Sequence, residues 1–361
     1  MSEFDLLTDK TAIQNTQWRE RPACAPPPGG LSLEMERFAL TANNFTYAKF
    51  GAELGYWRYF PAPEGWGRIP VWGLARIIHS AHPQLQVGER VFGFLPISTQ
   101  VTLVPDMRGA LRFVDASQGR ADLPPAYNEY ALIDRDLSFE AERADAFIAL
   151  RPLFLLGFVL AEWLVENQFF GADRVIVSSA SSKAALALAH QLQRRVATLG
   201  LTSPRHIEHI KAWGLFADVA SYADMERAVA STGAAVFIDI AGDRRRETRI
   251  RALLEDRLFR VVRVGATHGG SISPPDGAEP SELFFAPAHI PRLKAKWGAA
   301  DLRARLAEGW LAFLAFAGDK LAFPVFAGRR QVDRVYGEVA RGEGAAGAIP
   351  ILTGLGENEG P

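Results

Sequence analysis

The sequence predicts an α/β protein in two parts, a small, partly open β-barrel followed by a parallel sheet covered by helices. Three observations lead there. From Leu31 to about Asp134, short alternating apolar runs broken by Gly, Pro and Asn recur, as in L-S-L-E-M-E-R-F-A-L, V-W-G-L-A-R-I-I-H-S and G-E-R-V-F-G-F-L. Strands at such spacing suit a barrel. After Phe147 the strand-like runs V-I-V, R-V-A-T-L-G-L, V-F-I-D-I-A-G and F-R-V-V-R-V-G alternate with helical stretches, the punctuation of βαβ units and so of a parallel sheet. The length of 361 residues with 48% hydrophobic content supports about two domains, each with its own core.

In order along the chain, the start M-S-E-F-D-L-L-T-D-K is polar and acidic, unlike a signal peptide. A-P-P-P-G-G at Ala25 to Gly30 reads as a linker or turn. Beyond the barrel strands, a long apolar helical stretch runs to Phe170 and contains P-L-F-L-L-G-F-V-L-A. That run, like W-L-A-F-L-A-F-A-G near the end, is about half the length a membrane helix needs, and both read as buried core helices. Helices are predicted from about Lys183, about Pro204 and near Arg246. The tail V-Y-G-E-V-A-R-G-E-G-A-A-G-A-I-P-I-L reads as helix, glycine turn and strand.

Forty basic and 41 acidic side chains leave a net charge of −1, so no bulk charge draws the chain to nucleic acid or an anionic membrane. The expected partner is a small molecule. The single cysteine, Cys24, excludes an intramolecular disulfide and a cysteine-based structural zinc site, and fits a reducing cytoplasm. Only seven of the basic residues are lysines, which makes each lysine a slightly informative choice.

Four motifs carry a family resemblance: T-Y-A-K-F-G at Thr46 to Gly51, V-G-E-R-V-F-G at Val87 to Gly93, Y-N-E-Y-A-L-I at Tyr127 to Ile133, and G-E-G-A-A-G-A-I-P-I-L in the tail. In this order they resemble the medium-chain dehydrogenase/reductase superfamily, specifically a divergent, poorly characterised, zinc-independent subfamily near the quinone oxidoreductases. The resemblance implies a GroES-like partly open β-barrel catalytic domain plus a Rossmann-type doubly wound parallel-sheet cofactor domain. It places the first part of the catalytic domain at residues 1–143, the cofactor domain at 144–299, and a return segment completing the catalytic domain at 300–361. It also suggests a homodimer. Trp72-Gly73-Leu74 stands where zinc-dependent members carry a G-H-E motif, so a zinc mechanism is not expected.

In V-I-V-S-S-A-S-S-K-A-A-L-A-L-A-H, Val175 to His190, the outline is strand, tight loop and helix. The family loop is A-x-x-G-x-x-G, but here no glycine allows the backbone to approach a pyrophosphate. A helix N-terminus still presents unpaired N–H groups to an anion. Ser178, Ser179, Ser181 and Ser182 add hydroxyls, and Lys183 adds a positive charge. A plain serine-capped helix with Lys183 in water is the alternative. At the end of the second strand, T-L-G-L-T-S-P-R lacks the acid that would bind an NAD ribose, whereas Thr202, Ser203 and Arg205 suit the extra phosphate of NADP(H). The same letters also spell a helix cap at Ser203 with Pro204 following. Gly242 and His268, on two later strand ends, complete the cofactor candidates. The Arg cluster from Arg244 reads as a solvated helix face.

Hydride transfer to a carbonyl or an activated alkene builds negative charge on the substrate oxygen, which a hydrogen-bond donor must stabilise. The resemblance places Tyr47 at the substrate cleft, as donor or acid; a packed barrel aromatic is the other reading. Asn43 and Asn44 could orient substrate or cap a turn, with the turn favoured, and Asn44 and Tyr127 are candidate substrate contacts, packing being the alternative for Tyr127. No Y-x-x-x-K and no G-x-S-x-G occurs, which speaks against a short-chain dehydrogenase and an α/β-hydrolase. The expectation is a zinc-independent, NADP(H)-dependent oxidoreductase reducing a carbonyl or conjugated C=C bond of a small, fairly apolar substrate. The alternatives are a catalytically inactive dehydrogenase-like ligand-binding or scaffold protein, and a binder of another phosphorylated ligand such as a coenzyme A adduct.

Overall fold

The computed structural model describes residues 3–120, 123–136, 139–264, 281–345 and 347–356. The chain divides into two compact units, Met1–Ala149 with Ala322–Pro361, and Leu150–Leu321. It runs through β1 (Glu3–Asp9), β2 (Thr16–Arg21), β3 (Leu31–Ala39), α1 (Ala42–Lys49), β4 (Trp66–Gly67), β5 (Pro70–Ser80) and β6 (Arg90–Pro96). Next come β7 (Gln100–Leu103), β8 (Pro105–Met107), β9 (Arg112–Asp115), the one-turn α2 (Pro125–Asn128), β10 (Glu129–Leu132) and the long α3 (Ala144–Glu166). The second unit continues with β11 (Arg174–Val177), α4 (Lys183–Leu192), β12 (Ala197–Thr202), α5 (Ile207–Trp213), β13 (Asp218–Ser221) and α6 (Met225–Ala230). It ends with β14 (Ala235–Asp239), α7 (Arg244–Leu254), β15 (Leu258–Arg263), β16 (Glu282–Leu283) and α8 (Ala286–Gly318), before β17 (Val325–Ala327), α9 (Arg329–Ala340) and β18 (Ile351–Thr353) return to the first unit.

In the first unit a mostly antiparallel sheet has the order β17-β18-β3-β5-β6-β10-β9-β8, with β7 also on β3, and a smaller sheet has the order β2-β1-β4. The returning β18 pairs with β3, Leu352 opposite Phe38, so residues from both ends of the chain build one core. Leu33, Phe38, Val71, Val91, Phe113 and Leu352 lie in it. This is the barrel that the alternating runs predict. The glycine of T-Y-A-K-F-G has a packing reason: a Cβ on Gly51 or on Gly67 would run into the indole of Trp57, which the two glycines seat.

The second unit holds a fully parallel sheet of order β13-β12-β11-β14-β15-β16. That is the doubly wound order, with the switch of direction between β11 and β14. Ile176, Leu201, Phe237 and Ile250 are among its buried residues. Helix α4 follows from composition, since Ala185 to Ala189 alternate Ala and Leu and are buried, and alanine and leucine cost least in a helix. It lies close to α3, where a Cβ on Gly157 would sit 2.7 Å from backbone atoms of Ala187 and Leu188.

Two expectations shift. Residues 300–321 belong to the second unit, and the chain returns at Ala322. The reason is W-L-A-F-L-A-F-A-G on α8, whose Trp310 and Phe313 pack 5.6 and 5.8 Å from the ring of Phe154 on α3. The apolar run in α3 was too short for a membrane, but the helix around it is 23 residues long, enough by length and composition to cross one. Its most apolar stretch is mostly buried against the protein, as a core helix requires.

Candidate functional site

The glycine-free loop is tight and highly bonded. Ser182 caps α4, its Oγ accepting from Ala185 N at 3.2 Å, so this predicted phosphate contact serves the helix. Ser179 adopts φ 50°, a left-handed conformation that costs a non-glycine residue about 1–2 kcal/mol and that glycine adopts freely. Its N–H donates to the Tyr222 hydroxyl at 2.8 Å, and Ala180 N donates to Leu201 O at 2.9 Å. Two loop amides are therefore committed inside the protein. The Ser179 and Ser181 hydroxyls have no protein partner among the described residues. Burial lowers the Lys183 pKa to about 8.

At the end of β12, Thr202 is buried and its Oγ1 has no hydrogen-bond partner among the described residues. Such an orphaned hydroxyl calls for a ligand or a water. Ser203 is the N-cap of a 3-10 turn with Pro204 following, as the cap reading has it, but its side chain makes no capping hydrogen bond. Arg205 is exposed and its Nε donates to His206 Nε2 at 3.1 Å. Burial lowers the His206 pKa, and the positive charges of Arg205, His209 and Lys183 lower it further. Nothing in the sequence pattern singles out His206, which its lowered pKa keeps as a neutral acceptor beside the Arg205 guanidinium.

Across the switch point, the Ser178 Oγ–H donates to Asp239 Oδ1 at 2.8 Å and accepts from Ile240 N at 2.9 Å and Ala241 N at 3.1 Å. The Gly242 N–H donates to the same carboxylate oxygen at 3.0 Å. Gly242, expected beside the cofactor, thus has its amide occupied. Burial raises the Asp239 pKa to about 6, with Ser178 and Gly242 pulling it back and Glu247 adding to the rise. His268 lies outside the described residues. The Arg cluster is largely paired, Arg246 with Asp243, Arg249 with Glu226 and Arg251 with Glu247, and Arg246 also stacks 3.6 Å over the Tyr222 ring.

In the first unit, Tyr47 on α1 is buried among rings, 4.9 Å from Tyr56, 5.0 Å from Phe94 and 5.9 Å from Tyr127. Its hydroxyl accepts from Asn43 Nδ2 at 2.8 Å and from Trp72 Nε1 at 3.2 Å. With both lone pairs taken, the phenol can act only as a donor through its own proton. Burial pushes its pKa far up, so it stays neutral. Asn44 is corrected: its Oδ1 accepts from Thr41 N at 2.8 Å and its Nδ2 donates to Pro70 O at 3.0 Å, which spends the amide on capping α1. Tyr127 borders the box with Trp72 and Phe94 and accepts from the Tyr56 hydroxyl at 3.4 Å. Asn43, read from the sequence as orienting substrate or capping a turn, instead meets the Tyr47 hydroxyl at helical i, i+4 spacing, and Trp72 was not singled out as a site residue.

An antiparallel barrel unit built from both chain ends, with a 3-2-1-4-5-6 parallel sheet between them, is the fold of the medium-chain dehydrogenases/reductases. Solved structures agree in fold. CurA from Vibrio vulnificus in complex with NADPH matches with a TM-score of 0.64 at 12% identity, covering 99% of this chain and 100% of that one. The quinone oxidoreductase of Pseudomonas syringae pv. Tomato DC3000 matches at 0.57 and 14% identity, covering 97% and 100%. The CurK enoyl reductase matches at 0.57 and 15%, covering 97% and 99%. No curated protein matches the chain by sequence. The chain belongs to the family described as "Protein of unknown function (DUF2855)", whose profile matches residues 38–345.

Proposed function

We propose that the protein is an NADP(H)-dependent oxidoreductase that reduces a carbonyl or conjugated C=C bond of a small, fairly apolar substrate without zinc. The observation that carries this reading is the buried Thr202 hydroxyl at the end of β12, which has no hydrogen-bond partner among the described residues and is followed by Ser203 and the exposed guanidinium of Arg205. A phosphate ester on a ribose offers acceptors for such donors. NADPH in the CurA complex, and the reductase names of two fold relatives, favour the same chemistry.

In this reading the second unit holds the cofactor. Thr202, Ser203 and Arg205 bind the 2′-phosphate, while Ser179, Ser181 and Lys183 at the N-terminus of α4 bind the pyrophosphate. When bound, NADPH supplies a hydride. The first unit supplies the proton side: Tyr47, held neutral by burial and with its acceptor positions filled by Asn43 and Trp72, donates a hydrogen bond to the substrate oxygen as charge builds on it. The surrounding rings, Tyr56, Phe94 and Tyr127, exclude water and favour a flat apolar substrate. A homodimer, cytoplasmic placement and the absence of nucleic-acid or membrane partners belong to the same proposal.

The committed amides of Ser179 and Ala180 favour the second reading, a ligand-binding protein that has lost catalysis. Titration with NADPH, NADH and coenzyme A, followed by the native tryptophan fluorescence, separates the readings. NADPH is expected to saturate and to bind tighter than NADH, with Lys183→Ala and Arg205→Ala each weakening it by about tenfold or more. No saturable NADPH signal at millimolar concentration would remove the reductase reading, and saturation by coenzyme A alone would favour the third.

A further inference from the structure

The carboxyl ends of β11 and β14 flank the point where the parallel sheet reverses its winding, the place where doubly wound folds hold their ligand. In a glycine fingerprint the backbone itself makes this turn. Here the turn is made by side chains. The Ser178 hydroxyl is saturated, giving its proton to Asp239 Oδ1 and accepting from the amides of Ile240 and Ala241. The same carboxylate oxygen takes the Gly242 amide. Ser178 and Asp239 are both buried, at 1% exposure each, and Ser178 N also donates to Ile238 O at 3.0 Å. The two loops are thus tied together by side-chain as well as backbone bonds.

Each loop leads directly to a helix N-terminus. Ser178 precedes Ser179, whose left-handed backbone turns the chain into α4. Gly242 precedes Asp243, whose Oδ1 caps α7 by accepting from Arg245 N and Arg246 N at 3.0 and 3.2 Å. A strained residue persists only where its surroundings over-determine it, and the tie at Ser178 supplies that constraint on one side of Ser179. Around Asp239 the charged groups are Glu247 of α7 and Arg263 of β15, which are paired with each other at 2.7 Å. Arg263 bonds Glu247 and not Asp239, and Asp239 Oδ2 is left buried without a hydrogen-bond partner among the described residues. Asp239 is thus better suited to bracing the loop than to anchoring a salt bridge.

We infer that Ser178 and Asp239 are positioning residues for the phosphate loop, a side-chain brace across the switch point that stands in for the missing glycines. The brace fixes where α4 begins and so where Ser181 and Lys183 stand. This deepens the NADP(H) reading and rests on it. Removing the Ser178 hydroxyl frees two amides and loosens the turn, without touching any group that contacts the cofactor in that reading.

The test uses the full chain. Ser178→Ala is expected to weaken NADPH binding by about tenfold at a temperature where circular dichroism shows it folded, while Ser178→Thr, which keeps the hydroxyl, restores it. Because both residues belong to one brace, Ser178→Ala/Asp239→Asn is expected to bind no more weakly than Ser178→Ala. Hydrogen exchange in the ligand-free protein is the independent arm: the amides of Ile240, Ala241 and Gly242, and those from Ser179 to Ala184, are expected to exchange faster in Ser178→Ala. A folded Ser178→Ala with wild-type NADPH affinity overturns the inference. Should the wild type bind no NADPH, the reductase reading falls, and the exchange arm decides: acceleration at the loop amides sustains the brace, and unchanged exchange overturns it.

Discussion

At the scale of single residues, the proposed function rests its chemistry on two side chains that use burial in opposite ways. For Lys183, burial favours the neutral amine and brings its pKa to about 8, so its charge, and with it phosphate affinity, is present below that value and lost above it. The NADPH dissociation constant is expected to be flat up to about pH 8 and then to rise, by at most about tenfold per pH unit. Lys183→Arg, charged throughout, should lose the dependence; an equally steep rise in that variant would assign the titration elsewhere. For Tyr47, burial instead preserves the proton that the reaction needs. Tyr47→Phe is expected to lower turnover of a conjugated enone or quinone by about 10²–10⁴-fold with little change in NADPH affinity. It also strands the Asn43 and Trp72 donors, at a cost of about 1–3 kcal/mol in stability. Unchanged turnover would remove Tyr47 as the acid. These roles were only half legible in the sequence. Lys183 stands out because lysines are scarce, and Tyr47 because of its motif, but the fates of Asn44 and Ser182 depended on which neighbour each amide or hydroxyl met first. Hydroxyls and amides satisfy the backbone before they are free to meet a ligand.

At the scale of elements, the strand and helix order was readable because periodicity reports burial, and burial decides these elements. What periodicity does not report is how closely two elements approach. Helices α3 and α4 touch through Gly157, where a methyl group would lie 2.7 Å from the backbone of Ala187 and Leu188. Alanine gains up to about 1 kcal/mol over glycine as a helix former, but overpacking against a backbone that cannot rotate away costs about 1–3 kcal/mol. Gly157→Ala is therefore expected to lower the urea midpoint, and an increase would show that α3 and α4 can part without penalty. The glycine-free loop is the element where the sequence misleads most. Its missing glycines suggest a lost site, yet the turn is held by Ser178 and Asp239, two positions far apart in the chain and adjacent only once β11 and β14 lie side by side.

At the scale of the whole molecule, Asp239 links stability to pH. Its folded pKa of about 6 lies above the ordinary 3.8, so the folded chain keeps a proton that the unfolded chain has already lost between those values. This contribution is complete below the lower value and disappears as pH rises through the upper one. Asp239→Asn, which cannot ionise, is expected to gain on the wild type by up to about 3 kcal/mol between about pH 4 and pH 7.5, as read from urea midpoints. A gap independent of pH would show the carboxyl ionised throughout. The two-part organisation was legible from the change of texture near Phe147, while the point of return was not, because W-L-A-F-L-A-F-A-G is equally apolar wherever it packs. That return has a consequence for synthesis. Since β18 completes the sheet beside β3, the N-terminal strands leave the ribosome without their partner and must wait while Leu150–Leu321 is translated, roughly 10–30 s at about 5–20 residues per second. During that interval the part of the β3 edge at Arg37–Ala39 is open, and the interposed α/β unit is the first part of the chain able to finish folding.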